Sequence, residues 1–134
     1  MSLYVDASAM LKLYVEEPES AVCEAMMVAD PVWLTGRQTI VEVRRNLARL
    51  LAGRALTSAR EQFESDWQRT NVVELDAATC EHAADIAEVT GARPLDALHL
   101  GAARRAGGGR LPFLTYDLRQ AQAARALGWT VLGA

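Results

Sequence analysis

The chain has 134 residues, 51% of them hydrophobic and 23% charged, with 17 acids against 14 bases and a formal net charge of −3. That is the profile of one soluble globular domain: too apolar and too weakly charged for intrinsic disorder, and without the run of about 18 apolar residues needed to span a bilayer. The acidic balance also argues against nucleic-acid binding through bulk charge alone.

In chain order, Leu3–Val5 is a short apolar run that predicts a strand and ends on Asp6. No basic segment precedes it, so a secretory leader is not expected and a cytoplasmic location is. Helical periodicity follows over Ala9–Val15 and Glu19–Ala29, then a strand at Val32–Thr35. Two consecutive helical stretches, Gln38–Leu51 and Ser58–Gln68, are separated only by the Ala52–Thr57 turn and predict a helical hairpin. Beyond it come a strand at Val72–Leu75, helices at Ala77–Thr90 and Leu95–Ala106, a strand at Pro112–Thr115, a helix at Leu118–Leu127 and a strand at Thr130–Leu132. Asp76 and Asp117 precede helices as N-cap residues. Gly53, Gly91, Gly107 and Gly128 follow helical runs, where a left-handed cap favours glycine.

Strands separated by helices predict a mostly parallel sheet covered on both faces. The expected fold is therefore a single domain over residues 1–134, a three-layer α/β/α sandwich with a protruding helical hairpin. Cys23 and Cys80 both fall in helical text without metal-site spacing, which predicts free thiols. On the first two helices, Leu11, Leu13, Tyr14, Val22, Met26 and Met27 exceed one buried stripe, and either belong to the core or offer apolar surface to a partner.

In open parallel sheets, sites form beyond the carboxyl ends of the strands. Asp6 directly follows the first strand, and Asp117 lies two residues after Thr115. Asp96 opens a helix after Arg93-Pro94, and Glu42 lies in the first turns of another, at the edge of its apolar stripe. Four converging carboxylates would repel one another unless a cation neutralised them. Hard divalent ions such as Mg²⁺ or Mn²⁺ suit oxygen donors and can activate water against a phosphodiester. Each acid also has a plain structural role open to it: Asp6 and Asp117 as caps, Asp96 against the helix dipole, Glu42 in an exposed pair with Arg45 or Asn46. Ser8 and Thr115 could fix the carboxylates by hydrogen bonding. Neither His82, mid-helix, nor His99, one turn beyond Asp96, is expected to take the central role, which disfavours zinc.

These strings together resemble a known family. Leu3-Tyr4-Val5-Asp6-Ala7-Ser8-Ala9, followed by Leu11-Lys12-Leu13-Tyr14, resembles the opening of PIN-domain proteins, particularly the VapC-like toxins of bacterial toxin–antitoxin pairs. Thr39-Ile40-Val41-Glu42-Val43, Pro94-Leu95-Asp96-Ala97-Leu98-His99-Leu100 and Leu114-Thr115-Tyr116-Asp117 with Ala121 are similar to the family's later motifs, in the same order. The resemblance implies a metal-dependent endoribonuclease, with Asp6, Glu42, Asp96 and Asp117 around Mg²⁺ or Mn²⁺. It also implies neutralisation by a cognate antitoxin and a homodimeric state. Gly101 departs from the pattern, since many relatives carry alanine there, and is expected to loosen its helix slightly. No acid closely follows Asp117, so a second ion would have fewer protein ligands.

Lys12 is the one lysine among the 14 bases, which leaves 13 arginines, the side chain best shaped for phosphate. Arg45 and Arg49 share a helical face with Glu42 and are the best-placed candidates for contacts to RNA phosphates, the alternative being a solvated helix face. A phosphorylation-receiver domain would need a lysine near the last strands and a second acid after the first. A haloacid-dehalogenase-type phosphatase would need an acid where Ser8 stands. The reading that remains beside the nuclease is a non-catalytic α/β RNA-binding or regulatory module whose acids only cap helices.

Overall fold

The computed structural model describes residues 2–134. Its elements are β1 (Ser2–Val5), α1 (Ala7–Leu11), α2 (Ser20–Ala29), β2 (Val32–Gly36), α3 (Thr39–Leu50), α4 (Gly53–Arg69), β3 (Asn71–Val73), α5 (Ala77–Thr90), α6 (Pro94–Ala106), β4 (Phe113–Thr115), α7 (Leu118–Ala126) and β5 (Val131–Gly133). The strands form one sheet in the order β3-β2-β1-β4-β5, and every pairing is parallel. The first strand in sequence is thus the central one. All five strands end on the same edge, and the loops beyond that edge bring distant segments together.

Strand alternation separates two cores. Leu3, Val5 and Leu114 face one side with Cys23, Met27, Val43, Leu47, Phe63 and Trp67 from α2, α3 and α4. Tyr4 and Phe113 face the other with Ile86, Leu100, Ala103 and Ala124 from α5, α6 and α7. The Tyr4 and Phe113 rings stack with centroids 5.0 Å apart. Full burial of side chains of this size stabilises by roughly 1.5–3 kcal/mol each. The hairpin is α3 and α4, whose inner faces cover the sheet, and α4 begins at Gly53, absorbing most of the expected turn.

Several local expectations change. Gly107 is not a left-handed cap, because its backbone is extended at φ −179° and Gly108 takes the positive φ instead. Gly53 has φ +58° but opens α4 rather than closing α3. Strand β3 stops at Val73, since the Glu74 carbonyl accepts from Thr79 Oγ1 and turns the chain into α5. The expected apolar surface on the first helices is mostly core. Met27 is fully buried, and Leu11, Leu13, Tyr14 and Met26 pack against the interior. Helix α1 ends at Leu11, and the turn after it lowers Tyr14 onto α4, where its hydroxyl donates to Asp66 at 2.7 Å. Val22 alone of that set stays open to solvent. Both cysteines are free; Cys23 is buried and Cys80 is exposed.

Gly101 proves to be a contact point rather than a weak spot. A Cβ there would lie 2.8 Å from the Ala83 nitrogen and 2.9 Å from the Thr79 carbonyl oxygen, both backbone atoms of α5. The missing side chain lets α5 and α6 approach closely. Gly101→Ala should therefore destabilise the protein by about 1–3 kcal/mol through overpacking, despite gaining about 1 kcal/mol of helix propensity. Urea unfolding at equilibrium measures the sign directly.

Candidate metal centre

Asp6 is where the two central strands are tied together. Its backbone N–H donates to the Leu114 carbonyl at 3.2 Å, continuing the β1–β4 ladder by one residue. Its carboxylate is only 3% exposed. Oδ1 accepts from Ser8 Oγ at 2.6 Å and from the Ala9 N–H at 3.1 Å, which caps α1. Oδ2 accepts from Thr115 Oγ1 at 2.5 Å. Each hydroxyl accepts in turn from the neighbouring backbone: Ser8 Oγ from the Tyr116 N–H at 2.9 Å, Thr115 Oγ1 from the Asp117 N–H at 3.0 Å. The two residues read as aids to the carboxylates both touch Asp6, and Oδ2 keeps a lone-pair direction for a further partner.

Asp117 stands just beyond β4, its Oδ1 accepting from the N–H groups of Arg119 and Gln120 at 2.9 and 3.3 Å. It is a cap, and its backbone N–H donates to Thr115 Oγ1, the hydroxyl that donates to Asp6. Glu42, in the first turn of α3, does not pair with Arg45 or with the Asn46 side chain's amide. Its Oε1 lies 2.7 Å from His99 Nε2. Asp96 occupies the first turn of α6, and its side chain makes no hydrogen bond among the described residues. Burial raises its pKa, the Asp117 charge adds to this, and Asp6 and Glu42 act in the same direction while His99 opposes them. The four carboxylates thus share one electrostatic field. Asp6 is likewise raised, by burial above all, with His99 and its hydrogen bonds pulling the other way.

His99 is the residue that sequence reasoning set aside and the structure brings to the centre. It is 2% exposed and bridges two elements. Nε2 meets Glu42, and Nδ1 lies 2.8 Å from the hydroxyl of Tyr4. That hydroxyl accepts from the Gly36 N–H at 3.0 Å. The chain of partners runs Gly36, Tyr4, His99, Glu42, and every group is satisfied if Tyr4 donates to Nδ1 and Nε2–H donates to Glu42. Burial disfavours the imidazolium, but the Glu42 hydrogen bond and the charges of Glu42, Asp6 and Asp96 outweigh it and raise the pKa. Two sequence signals point this way: His99 follows Asp96 by three residues on one helical face, and a tyrosine inside a buried strand needs a partner for its hydroxyl.

Of the two expected phosphate contacts, Arg49 donates to Asn46 Oδ1 at 3.2 Å along the helix surface, and Arg45 is exposed beside it. Among the described residues, no group of three or more His, Cys, Asp or Glu side chains is arranged so that it could hold a metal ion. The chemistry of the donor set nonetheless suits a hard divalent cation: Asp96 has no hydrogen-bond partner among the described residues, and its pKa is raised by burial and by the charges of Asp117, Asp6 and Glu42.

These shifts fix a pH dependence. Asp6 and Asp96 hold protons more tightly folded than unfolded, from their ordinary value of 3.8 upward, and His99 does the same from 6.5 upward. The folded state then binds more protons, so stability falls as pH rises. Thermal melts in chelator should show a Tm that declines above about pH 5. Asp96→Asn should melt higher than the parent at neutral pH; a Tm rising with pH in the parent would contradict this.

The chain matches the family model "PIN domain" over residues 3–126. It is 33% identical to Ribonuclease VapC45 of Mycobacterium tuberculosis (strain CDC 1551 / Oshkosh) over 134 aligned residues, covering 96% of this chain and 93% of that protein. Among solved structures, Mycobacterium tuberculosis VapC20, a sarcin-ricin loop cleaving toxin, superposes with a TM-score of 0.72 at 19% identity, over 90% of this chain and 94% of that one. A DNA-bound VapBC from Salmonella typhimurium gives a TM-score of 0.67 at 15% identity, over 98% of this chain and 96% of that one.

Proposed function

We propose, from the premise that the chain belongs to the PIN-domain family, that it is a toxin endoribonuclease, hydrolysing RNA phosphodiester bonds and neutralised by a cognate antitoxin. The observation that supports this reading is that Asp96, at the start of α6, has its pKa raised by burial and by the charges of Asp117, Asp6 and Glu42, acids borne by three other segments of the chain. A similar protein is a ribonuclease, and similar folds include a toxin and a VapBC assembly. No helix among the described residues is long and apolar enough to cross a membrane. A cytoplasmic, homodimeric protein is the accompanying proposal.

Asp6, Asp96, Glu42 and Asp117 would hold the cation, proposed to be Mg²⁺ or Mn²⁺. When bound, such an ion supplies positive charge against the phosphate and lowers the pKa of water. The chain's own residues prepare the site. Ser8, Ala9 and Thr115 hold Asp6 in one orientation. His99 fixes Glu42 through Oε1 and leaves Oε2 for the site, and Tyr4 sets the His99 tautomer from behind. The buried base of the site, with Asp6 and His99 both nearly inaccessible, keeps bulk water from screening these charges.

Expression of the wild type beside Asp96→Asn, with sequencing of RNA 5′ ends, tests the activity. Growth arrest and discrete cuts should appear with the wild type only; equal cutting by the variant, or undiminished cutting by purified protein in excess chelator, would refute the assignment. Thr115→Val keeps the shape of the strand end but removes the hydroxyl that donates to Asp6. It should lower Mn²⁺ affinity by about 10- to 100-fold in a calorimetric titration.

A further inference from the structure

A cleft of 520 Å³ opens beside the acids, between the turn joining α5 to α6 and the outer side of α7. Small residues, Gly91, Ala92, Ala123 and Ala126, are among those lining it, and its one acid is Asp96. The charged side chains on its walls are Arg93, ahead of Pro94 on the α6 side, and Arg119, on α7. Both are exposed, and neither forms an ion pair among the described residues, whereas Arg37, Arg69 and Arg105 are each committed to an acid. The volume falls within the roughly 300–1,000 Å³ range of ligand sites. No aromatic side chain lines it, so it has nothing on which a base could stack. What it offers is a pair of guanidinium forks beside one of the carboxylates.

Elsewhere the arginines are differently placed. Arg44 and Arg60 line a groove on the α3–α4 face, but Glu61 and Glu64 line it too. An anionic strand gains little there.

We infer that the cleft between the α5–α6 turn and α7 is a subsite for the RNA sugar-phosphate backbone, with Arg93 and Arg119 holding phosphates of the strand next to Asp96. The inference rests on the nuclease reading above and deepens it. Arginine meets phosphate bidentately and carries no base information by doing so. The subsite therefore supplies affinity and register, while the choice of sequence is made by other parts of the surface.

The test uses the full-length protein in chelator, with a labelled single-stranded RNA and binding measured over a series of salt concentrations. Arg93→Ala and Arg119→Ala should each reduce the slope of log affinity against log salt by about 0.7, and the double variant should bind at least about tenfold more weakly near physiological salt. Arg44→Ala with Arg60→Ala should leave both quantities unchanged. With Mg²⁺ restored, the Arg93/Arg119 double variant should show a raised KM, a nearly unchanged kcat and the same cleavage positions. Both arginines lie on the surface, and Arg93 has extended backbone that alanine adopts freely, so the variants should fold; a matching circular dichroism melt checks this. Wild-type binding that the double variant retains in full, or an altered set of cut sites, overturns the subsite and leaves the nuclease reading standing. A wild type that neither binds nor cuts RNA overturns the nuclease reading itself, and the subsite with it.

Discussion

A carboxylate removed from water costs several kcal/mol unless its surroundings replace the lost hydration. Asp6 is removed almost completely, and the replacement comes from three donors on two segments: Ser8 and the Ala9 amide in α1, and Thr115 at the end of β4. The compensation is partial, since burial still leaves the acid weaker than in water. Much of the architecture follows from keeping this arrangement. Strand β4 must lie beside β1, which requires the crossovers on both faces, and the two hydroxyls must reach the same carboxylate, one from α1 and one from the end of β4. A fold that held Asp6 without Thr115 would leave an oxygen buried with no partner.

The second tie runs through the sheet rather than along its edge. Tyr4 points away from Leu3 and Val5, into the core beneath α6, yet its hydroxyl reaches the Gly36 amide and His99. Glu42, on the other side of β2, is held by that same imidazole. One buried chain of hydrogen bonds thus fixes the relative position of β1, β2, α3 and α6. Packing alone would allow small sliding of these helices; directional polar contacts in a dry interior do not.

Much of this was legible in the sequence. Alternating short apolar runs and helical stretches marked all five strands and seven helices, because a parallel sheet buried on both faces writes itself as short continuous runs of Val, Leu and Tyr. The candidate acids stand out in the sequence because each lies at the end of an element, and in open parallel sheets sites form beyond the carboxyl ends of the strands. The boundaries were less so: where α4 begins and β3 ends depends on side-chain-to-backbone bonds such as Thr79 to the Glu74 carbonyl, which periodicity does not encode. His99 was missed for a similar reason. Its partner Glu42 is 57 residues away, and nothing in its own neighbourhood reveals that α3 will arrive there. Gly101 was misread because helix propensity concerns one helix, whereas its value lies in the approach of two. Leu13, Tyr14 and Met26 looked like surplus apolar surface because a short α1 and the turn after it fold them inward, a tertiary outcome that helical periodicity cannot foresee.

The placement of β1 has a consequence for synthesis. The central strand is made first, and the hydroxyl that steadies its aspartate follows 109 residues later. Contacts of such long range form late, after the local helices. A nascent chain on the ribosome carries Asp6 without the Thr115 hydroxyl until β4 has emerged from the exit tunnel. Chain order thus leaves the oxygen of Asp6 that Thr115 satisfies without its partner until the β4 segment has been made.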